Sequence, residues 1–419
     1  MTTVFTNARL VDGTGAAPVE HATVVVSGER FGYVGPAEGA PATPADAEVV
    51  DLGGRTLLPG FFDCHVHFVV DSTSELFGKL LQTRRSLATF ERADRLRRTL
   101  AAGITTARDL CGLDAGYRDA IERGLIEGPR LHVAIRMLGH TGGHSDFTLP
   151  TGIDVTSMVE PMGELVDNAG EARVATRRLL RDGADVIKIA ATGGVASPTD
   201  QPEDEGLTVE EIAAVVDEVR RHRGRPVAAH AQGTAGIRNA LLGGVTSIEH
   251  GYLIDDEGID LMLERGAFLV PTLSTADMLD QPGLPRHIYD KKARLAEAAG
   301  ERIGAAIRRG VKVAMGTDAG ASRHGSNLRE LAHLVGVGMS PLQAIRAGTM
   351  VSAELLGVAG TLGSVTAGKL ADLVVCDGDP VTDIGVLSEP ERIVLVAQQG
   401  RIVKNTLTAR STSVAVTRI

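Results

Sequence analysis

The sequence predicts an α/β protein: a closed parallel (β/α)8 barrel of the TIM type, with a smaller β-unit assembled from both ends of the chain. Three observations carry this prediction. Eight short β-rich runs alternate with longer amphipathic segments from residue 61 to about 337, roughly 35 residues per unit. The residues before them read only as short strands and turns. After Gly360 the strand pattern returns, which suggests that the chain comes back to its own beginning. An open doubly wound sheet is the rival, but no Gly-x-Gly-x-x-Gly follows the first barrel strand.

In chain order, Val4–Leu10, Ala22–Val26, Arg30–Val34 and Glu48–Leu52 alternate or cluster β-branched residues, punctuated by Gly13, Gly15, Gly28, Gly35 and Pro36. The Pro59-Gly60 turn signal then introduces the barrel. Its strands are expected at Phe61–Phe68, Thr105–Asp109, Leu131–Met137, Val186–Ala190, Val227–His230, Val245–His250, Phe268–Val270 and Lys312–Thr317. Its helices are expected at Ser86–Ala102, Gly116–Arg123, Ala172–Arg181, Thr208–His222, Gly233–Leu242, Asp255–Glu264, Tyr289–Arg309 and Asn327–Val337. Thr208 with Glu211 three residues on is a capping box. A further helix, Ser340–Gly357, carries Pro341 at a favoured first position. Strands follow at Ala371–Cys376, Arg392–Gln398 and Arg401–Lys404, and the tail from Thr406 is rich in Ser and Thr. The expected division is 1–57 and 361–419 for the two parts of the β-unit and 58–360 for the barrel.

Composition excludes several classes. Of 419 residues, 43% are hydrophobic and 23% charged, as in a globular protein. A formal charge of −10 argues against nucleic-acid or anionic-membrane partners. No run of eighteen apolar residues is long enough to span a membrane. The N-terminus lacks the basic start and apolar block of a signal peptide, and Cys64, Cys111 and Cys376 form no CxxC, so reduced thiols in a cytoplasmic protein are expected.

The chemistry is concentrated at strand ends, where a βα barrel carries its active site. Strand one, Phe61-Phe62-Asp63-Cys64-His65-Val66-His67-Phe68, points His65 and His67 to one face and Cys64 to the other. Two imidazoles on one face can grip a metal ion, although a bare His-x-His equally fits two satisfied core histidines. The other strand ends supply Lys188, His230, His250 and Asp318, a concentration hard to explain as core filling. Lys188 sits among apolar neighbours; it either snorkels or pairs with Asp185 or Asp318, or, desolvated, keeps a neutral amine available, which can add carbon dioxide to give a carbamate able to bridge two cations.

This set resembles the amidohydrolase superfamily over nearly the full chain. The resemblance rests on Leu58-Pro59-Gly60-Phe61-Phe62-Asp63-Cys64-His65-Val66-His67, the Lys188 strand, His230, His250, Gly316-Thr317-Asp318, and the run Gly363-Ser364-Val365-Thr366-Ala367-Gly368-Lys369-Leu370-Ala371-Asp372-Leu373-Val374. Thr105-Thr106-Ala107-Arg108-Asp109, Thr141-Gly142-Gly143-His144 and Thr192-Gly193-Gly194-Val195 resemble its imidazolonepropionase-related branch, which includes Xaa-Pro dipeptidases, carboxypeptidases for basic residues and ochratoxin-type amidases. The resemblance implies that the terminal β-unit is a composite β-sandwich and that the molecule is a homo-oligomer. It also implies two divalent metal ions: His65, His67 and Asp318 holding one, His230 and His250 the other, and Lys188, N6-carboxylated, bridging them together with a hydroxide. Nitrogen, carboxylate and carbamate donors suit zinc best. Asp318 is implied as the catalytic group that takes the proton of the attacking hydroxide and delivers it to the leaving amine.

The substrate side is less sharply marked. The loop of residues 138–170 is long and carries His140, His144, Asp146 and Pro150. His144 matches the branch's Gly-Gly-His element and would donate to the substrate carbonyl or oxyanion. His140, Arg136, Arg323 and Tyr252 are further candidates for substrate contact; Arg108 and His324 are also placed where a cation would meet a substrate carboxylate. His21, His132, His222, His287 and His333 fall away from the strand ends. One departure matters: prolidase-like relatives resemble His-Ala-Tyr at strand five, where this chain has His230-Ala231-Gln232. The leading expectation is therefore hydrolysis of a small-molecule amide, an N-acyl amino acid or a peptide-like compound. Cyclic amides, carbamates, esters, lactones and phosphotriesters stand as alternatives, and a binding relative with a dead site as the non-enzyme reading.

Overall fold

The computed structural model describes residues 2–71, 82–149, 151–155, 162–197, 199–281 and 283–407. Pro150 and the Ser/Thr-rich tail beyond Leu407 lie outside the described residues. Five strands open the chain: β1 (Thr2–Leu10), β2 (Val19–Ser27), β3 (Arg30–Pro36), β4 (Glu48–Asp51) and β5 (Thr56–Pro59). The barrel follows as β6 (Phe61–Val66), α1 (Arg85–Ala101), β7 (Ile104–Asp109), α2 (Ala115–Glu122), β8 (Arg130–Val133), β9 (Met137–Gly139), β10 (Gly163–Leu165), α3 (Ala169–Arg181), β11 (Ile187–Ala190) and α4 (Val209–Arg221). It continues with β12 (Val227–Ala231), α5 (Thr234–Gly243), β13 (Ser247–His250), α6 (Asp256–Arg265), β14 (Phe268–Val270), α7 (Arg286–Arg308), β15 (Lys312–Val313) and α8 (Arg329–Gly336). After α9 (Pro341–Arg346), the chain ends in β16 (Leu373–Cys376), β17 (Ile393–Gln398) and β18 (Arg401–Asn405).

The barrel strands are parallel, and backbone hydrogen bonds carry the ring past the ends of the regular ladders. β6 pairs with β7, and β7 with β8. Strand three breaks at Ile135, which has φ 69°, and resumes as β9, which pairs with β11. From β11 the ladder runs through β12, β13 and β14 to β15. The ring closes where Cys64 N donates to Met315 O at 2.9 Å and Asp318 N to His65 O at 2.7 Å. Strand eight is thus regular only over Lys312–Val313, shorter than the expected Lys312–Thr317, because its end bends to meet β6. Gly316 permits that approach: a Cβ there would meet Val270 Cγ1 at 2.4 Å and His65 Cβ at 2.9 Å.

Local signals explain the helices. Thr208 and Glu211 form the expected capping box on α4, while Asn168 and Asp255 cap α3 and α6 through single side-chain bonds; such caps contribute about 1 kcal/mol each. Gly244, in the left-handed region, ends α5. The expected helix Ser340–Gly357 is interrupted by a π-turn at Ala347–Val351, where Ser352 Oγ donates to Ala347 O at 2.6 Å and the same carbonyl accepts from Met315 N at 3.2 Å. The interruption ties the outer layer to the end of strand eight.

Both chain ends build one eight-stranded sheet in the order β18-β17-β16-β5-β1-β2-β3, with β4 also on β1. The sequence reading did not foresee β5, a four-residue strand that pairs with β1 and β16. Phe5, Val24, Phe31, Leu57, Leu373 and Leu395, from opposite parts of this sheet, share one buried cluster, so the sheet curls over its own core. A larger cluster fills the space between barrel and helices. Among the described residues, no helix is long and apolar enough to cross a membrane.

Candidate metal centre

The strand ends bring six polar side chains into one cavity of about 450 Å³: His65, His67, Lys188, His230, His250 and Asp318 all line it. Potential ligand atoms of His65, His67 and Asp318 lie within 4.8 Å of one another. Asp318 Oδ1 is 3.3 Å from His67 Nε2 and 3.6 Å from His65 Nε2. The His250 ring centre is 4.9 Å from that of His65 and 4.7 Å from that of His230. Asp318 and His250 both adopt left-handed backbone, φ 57° and 70°, a strained conformation that the surrounding structure must hold in place.

Each of the four histidines has one ring nitrogen engaged by the protein. His65 Nδ1 faces Glu249 Oε2 at 2.9 Å, His67 Nδ1 faces Cys111 O at 3.3 Å, and His250 Nδ1 faces Thr272 Oγ1 at 2.8 Å. His230 is turned the other way, with Nε2 on Gly193 O at 3.0 Å. In a neutral ring such contacts fix the tautomer and leave the second nitrogen as a lone-pair donor. Burial holds His65, His230 and His250 well below the ordinary histidine pKa, so they are neutral and able to ligate. Burial would also depress His67, but Cys111 and Asp318 beside it carry it well above the ordinary value. Lys188 is 1% exposed and its Nζ has no hydrogen-bond partner among the described residues. Burial brings its amine down to about 8, against the opposing fields of Glu249 and Asp318.

A second set of buried groups holds these in place. Glu249 is fully buried and accepts from Arg108 Nη2 at 2.8 Å and Ser247 Oγ at 2.5 Å as well as facing His65. Asp63, buried beneath strand one, accepts from Thr317 N, Thr317 Oγ1, Asn327 Nδ2 and His65 N, and so fixes the residue next to Asp318. Burial pushes the Asp63 carboxyl up to about 6. Glu249 is adjacent to His250 in sequence, and period-two alternation, which turns it to the opposite face, was the signal for its supporting role; the same alternation puts Asp63 on the face of His65 and gave no such signal.

Not all expected substrate residues reach the cavity. His144 and Tyr252 line it, whereas Arg136, His140 and Arg323 do not. Arg136 is spent on Glu164 at 3.2 Å, His140 Nδ1 faces its neighbour's carbonyl, Thr141 O, at 2.8 Å, and Arg323 is exposed. Arg108 is fully buried in its pair with Glu249, and His324 faces the carbonyls of His67 and Val70; neither is free for a substrate. Conversely, His287, set aside by the sequence reading, lines the cavity, as do Gln232 and Lys292. Gln232 Oε1 is buried without a hydrogen-bond partner among the described residues. Lys292 had a readable signal: Ile288, Lys291, Lys292, Leu295 and Ala299 are the buried stripe of α7, so two lysines occupy apolar positions. His144 stacks on His230 at 4.2 Å, and its Nδ1 faces Asp200 Oδ2 at 3.1 Å, which turns Nε2 away from that partner.

A closed barrel with histidines, a lysine and an aspartate at its strand ends defines a hydrolase class, and comparison with known proteins agrees. Residues 56–403 match the model of the Amidohydrolase family. The chain belongs to this family and is a hydrolase acting on amide bonds. It is 32% identical to the ochratoxinase of Aspergillus niger over 412 residues, 94% of this chain and 85% of the relative. It is 25% identical to the imidazolonepropionase of Sphingopyxis alaskensis over 414 residues, 90% of this chain and 92% of the relative. A Xaa-Pro dipeptidase crystallised with methionine in its active site superposes with a TM-score of 0.87 at 31% identity, covering 96% of this chain and 99% of that one.

Proposed function

We propose that this enzyme hydrolyses the C–N bond of a small-molecule amide, an N-acyl amino acid or a peptide-like compound, at a binuclear metal centre. The observation that carries the reading is the donor set: four histidines, each with one ring nitrogen claimed by the protein, share a cavity with a buried lysine amine that has no hydrogen-bond partner among the described residues. An orphaned buried amine is costly, and a carbamate shared by two cations removes the cost. His65, His67 and Asp318 would hold one divalent ion, His230 and His250 the other, and carboxylated Lys188 both; the donor types suit zinc. Bound there, the ions supply Lewis acidity that brings water near neutrality into its nucleophilic form and polarises the substrate carbonyl.

The chain's own residues do the rest. Asp318 holds its carboxyl below the usual range: burial opposes this, but His67 beside it more than compensates. It is therefore ionised, ready to accept the nucleophile's proton and hand it to the amine as the C–N bond breaks. His144, oriented by Asp200, offers Nε2 to the substrate carbonyl as charge develops on its oxygen. The cavity walls exclude water with Met137, Phe147, Leu149, Met278 and Ile288, which suits an apolar substituent. Methionine bound in the related dipeptidase supports an amide that contains an amino acid. A cytoplasmic setting, consistent with three free cysteines, and a homo-oligomeric state belong to the same reading.

Metal analysis and a substrate screen test it. We expect about two equivalents of metal per chain and turnover of at least one N-acyl amino acid or dipeptide. Metal-loaded enzyme that cleaves aryl esters or phosphotriesters but no amide would overturn the proposal.

A further inference from the structure

The cavity has a second polar corner, on the side of α7. Lys292 is 3% exposed and lines the same space as His250 and Asp318. Its Nζ donates to Tyr252 Oη at 3.1 Å and to Thr275 Oγ1, and lies 4.2 Å from the centre of the Tyr252 ring. Both hydroxyls are already engaged, each reaching Thr272 O, at 3.0 and 2.7 Å. They are neutral acceptors. Among the described residues no carboxylate stands within ion-pair distance of Lys292.

The adjacent lysine shows what a structural role looks like. Lys291 donates to the carbonyls of Gly194, Ser197 and Asp200 and stands 3.7 Å from the Asp200 carboxylate, so it ties the loop after β11 to α7. Among the described residues Lys292 secures no backbone group in this way. An ammonium carries three donors, and here they face only hydroxyls; the carboxylates of Asp318 and Glu330 act on Lys292 from beyond ion-pair distance and do not offset its burial. The cations at first expected to meet a substrate carboxylate are spent or turned away: Arg108 on Glu249, Arg136 on Glu164, and Arg323 in solvent. The Tyr252 ring lies 5.5 Å from the His250 ring, so Lys292 stands one ring beyond the histidine cluster. In an N-acyl α-amino acid the free carboxylate is three bonds from the scissile carbonyl carbon, a separation of the same order.

We propose that Lys292, supported by Tyr252 and Thr275, anchors the carboxylate of the substrate's amine portion and makes the enzyme selective for N-acyl α-amino acids over neutral amides. This rests on the amide-hydrolase reading above. The carboxylate accepts from Nζ, and the side chain next to it packs on Met278, Pro285 and Ile288, which line the same wall.

The test compares N-acetyl-L-methionine with N-acetyl-L-methioninamide on metal-loaded full-length enzyme, by kcat/KM and by calorimetric binding. The wild type should favour the acid by about 10- to 100-fold, as expected for a charge-assisted contact. In Lys292→Met that preference should collapse toward unity with metal content retained, and Lys292→Arg should restore part of it. A wild type without acid preference, or a Lys292→Met enzyme that keeps it, overturns the anchor; the hydrolase reading then survives if amides are still cleaved. Lys292-dependent binding of the acid without cleavage of any amide supports the anchor and removes the hydrolase reading instead.

Discussion

Replacing Glu249 by Gln would test how far the ligand geometry depends on groups that never meet the substrate. The Glu249 carboxylate serves three donors: Arg108 and Ser247 on Oε1, and His65 Nδ1 on Oε2. A glutamine has one acceptor oxygen and an NH2 group. Turned to keep Arg108 and Ser247, it presents its NH2 to His65 Nδ1, and the imidazole must move its proton to Nε2, the nitrogen facing Asp318 and His67. Turned the other way, it presents its NH2 to Arg108, and in either pose the fully buried guanidinium loses its counter-charge. Breaking one side of such a pair costs about 3–5 kcal/mol, and losing the outer partner of a ligating histidine lowers metal affinity about 10- to 100-fold. Urea unfolding of metal-free protein followed by circular dichroism reads the first quantity, and competition with a chelator reads the second. The double variant with Arg108→Met should recover much of the stability loss but not the metal affinity, since no buried charge then remains unpaired. Unchanged urea midpoint and metal affinity in the single variant would refute the reasoning.

Three further outcomes follow from the same geometry. Asp318→Asn should bind metal nearly normally yet lose orders of magnitude in kcat; full turnover would remove Asp318 from proton transfer. Lys188→Ala should lose activity that short-chain carboxylic acids, added as carbamate mimics, partly restore; failure of rescue at full metal content would count against a bridging carbamate. In metal-free protein, Lys188 titrates at about 8 instead of 10.5, so between these values the unfolded chain holds a proton that the folded state has released. Its contribution to stability is therefore complete above 10.5 and is lost as pH falls through 8, about 3 kcal/mol in all. Denaturation of wild type and Lys188→Met across this range should diverge with that sign, and parallel curves would contradict it.

The six strand-end residues were legible because period two and the alternation of strands with helices are properties of the chain itself. His65 and His67 share a face by alternation alone, and the barrel brings the rest to one rim. The substrate-side arginines were misread because proximity to a strand end does not fix what a long side chain meets. Arg108 ends strand two as expected, but it reaches Cys64 O and Glu249 beneath the ligands. Arg136 is redirected by the break at Ile135, which no turn residue announces. Lys292 went unnamed because a lysine on a helix ordinarily faces solvent, and only the spacing of Ile288, Lys292, Leu295 and Ala299 marks it as part of the buried stripe of α7.

The joining of both chain ends also has a consequence in time. β5 finds β16 as a partner across more than three hundred residues of intervening chain, and the first barrel strand is sealed by the segment around Met315. Such distant pairings make assembly slow and leave strand edges open while it proceeds. During synthesis the N-terminal strands must wait, one edge unfilled, until nearly the whole polypeptide has been made. The cavity that gathers His65 with Asp318 is thus completed late, so a nascent chain cut short before residue 318 carries five of the six strand-end residues without the segment that closes the ring around them.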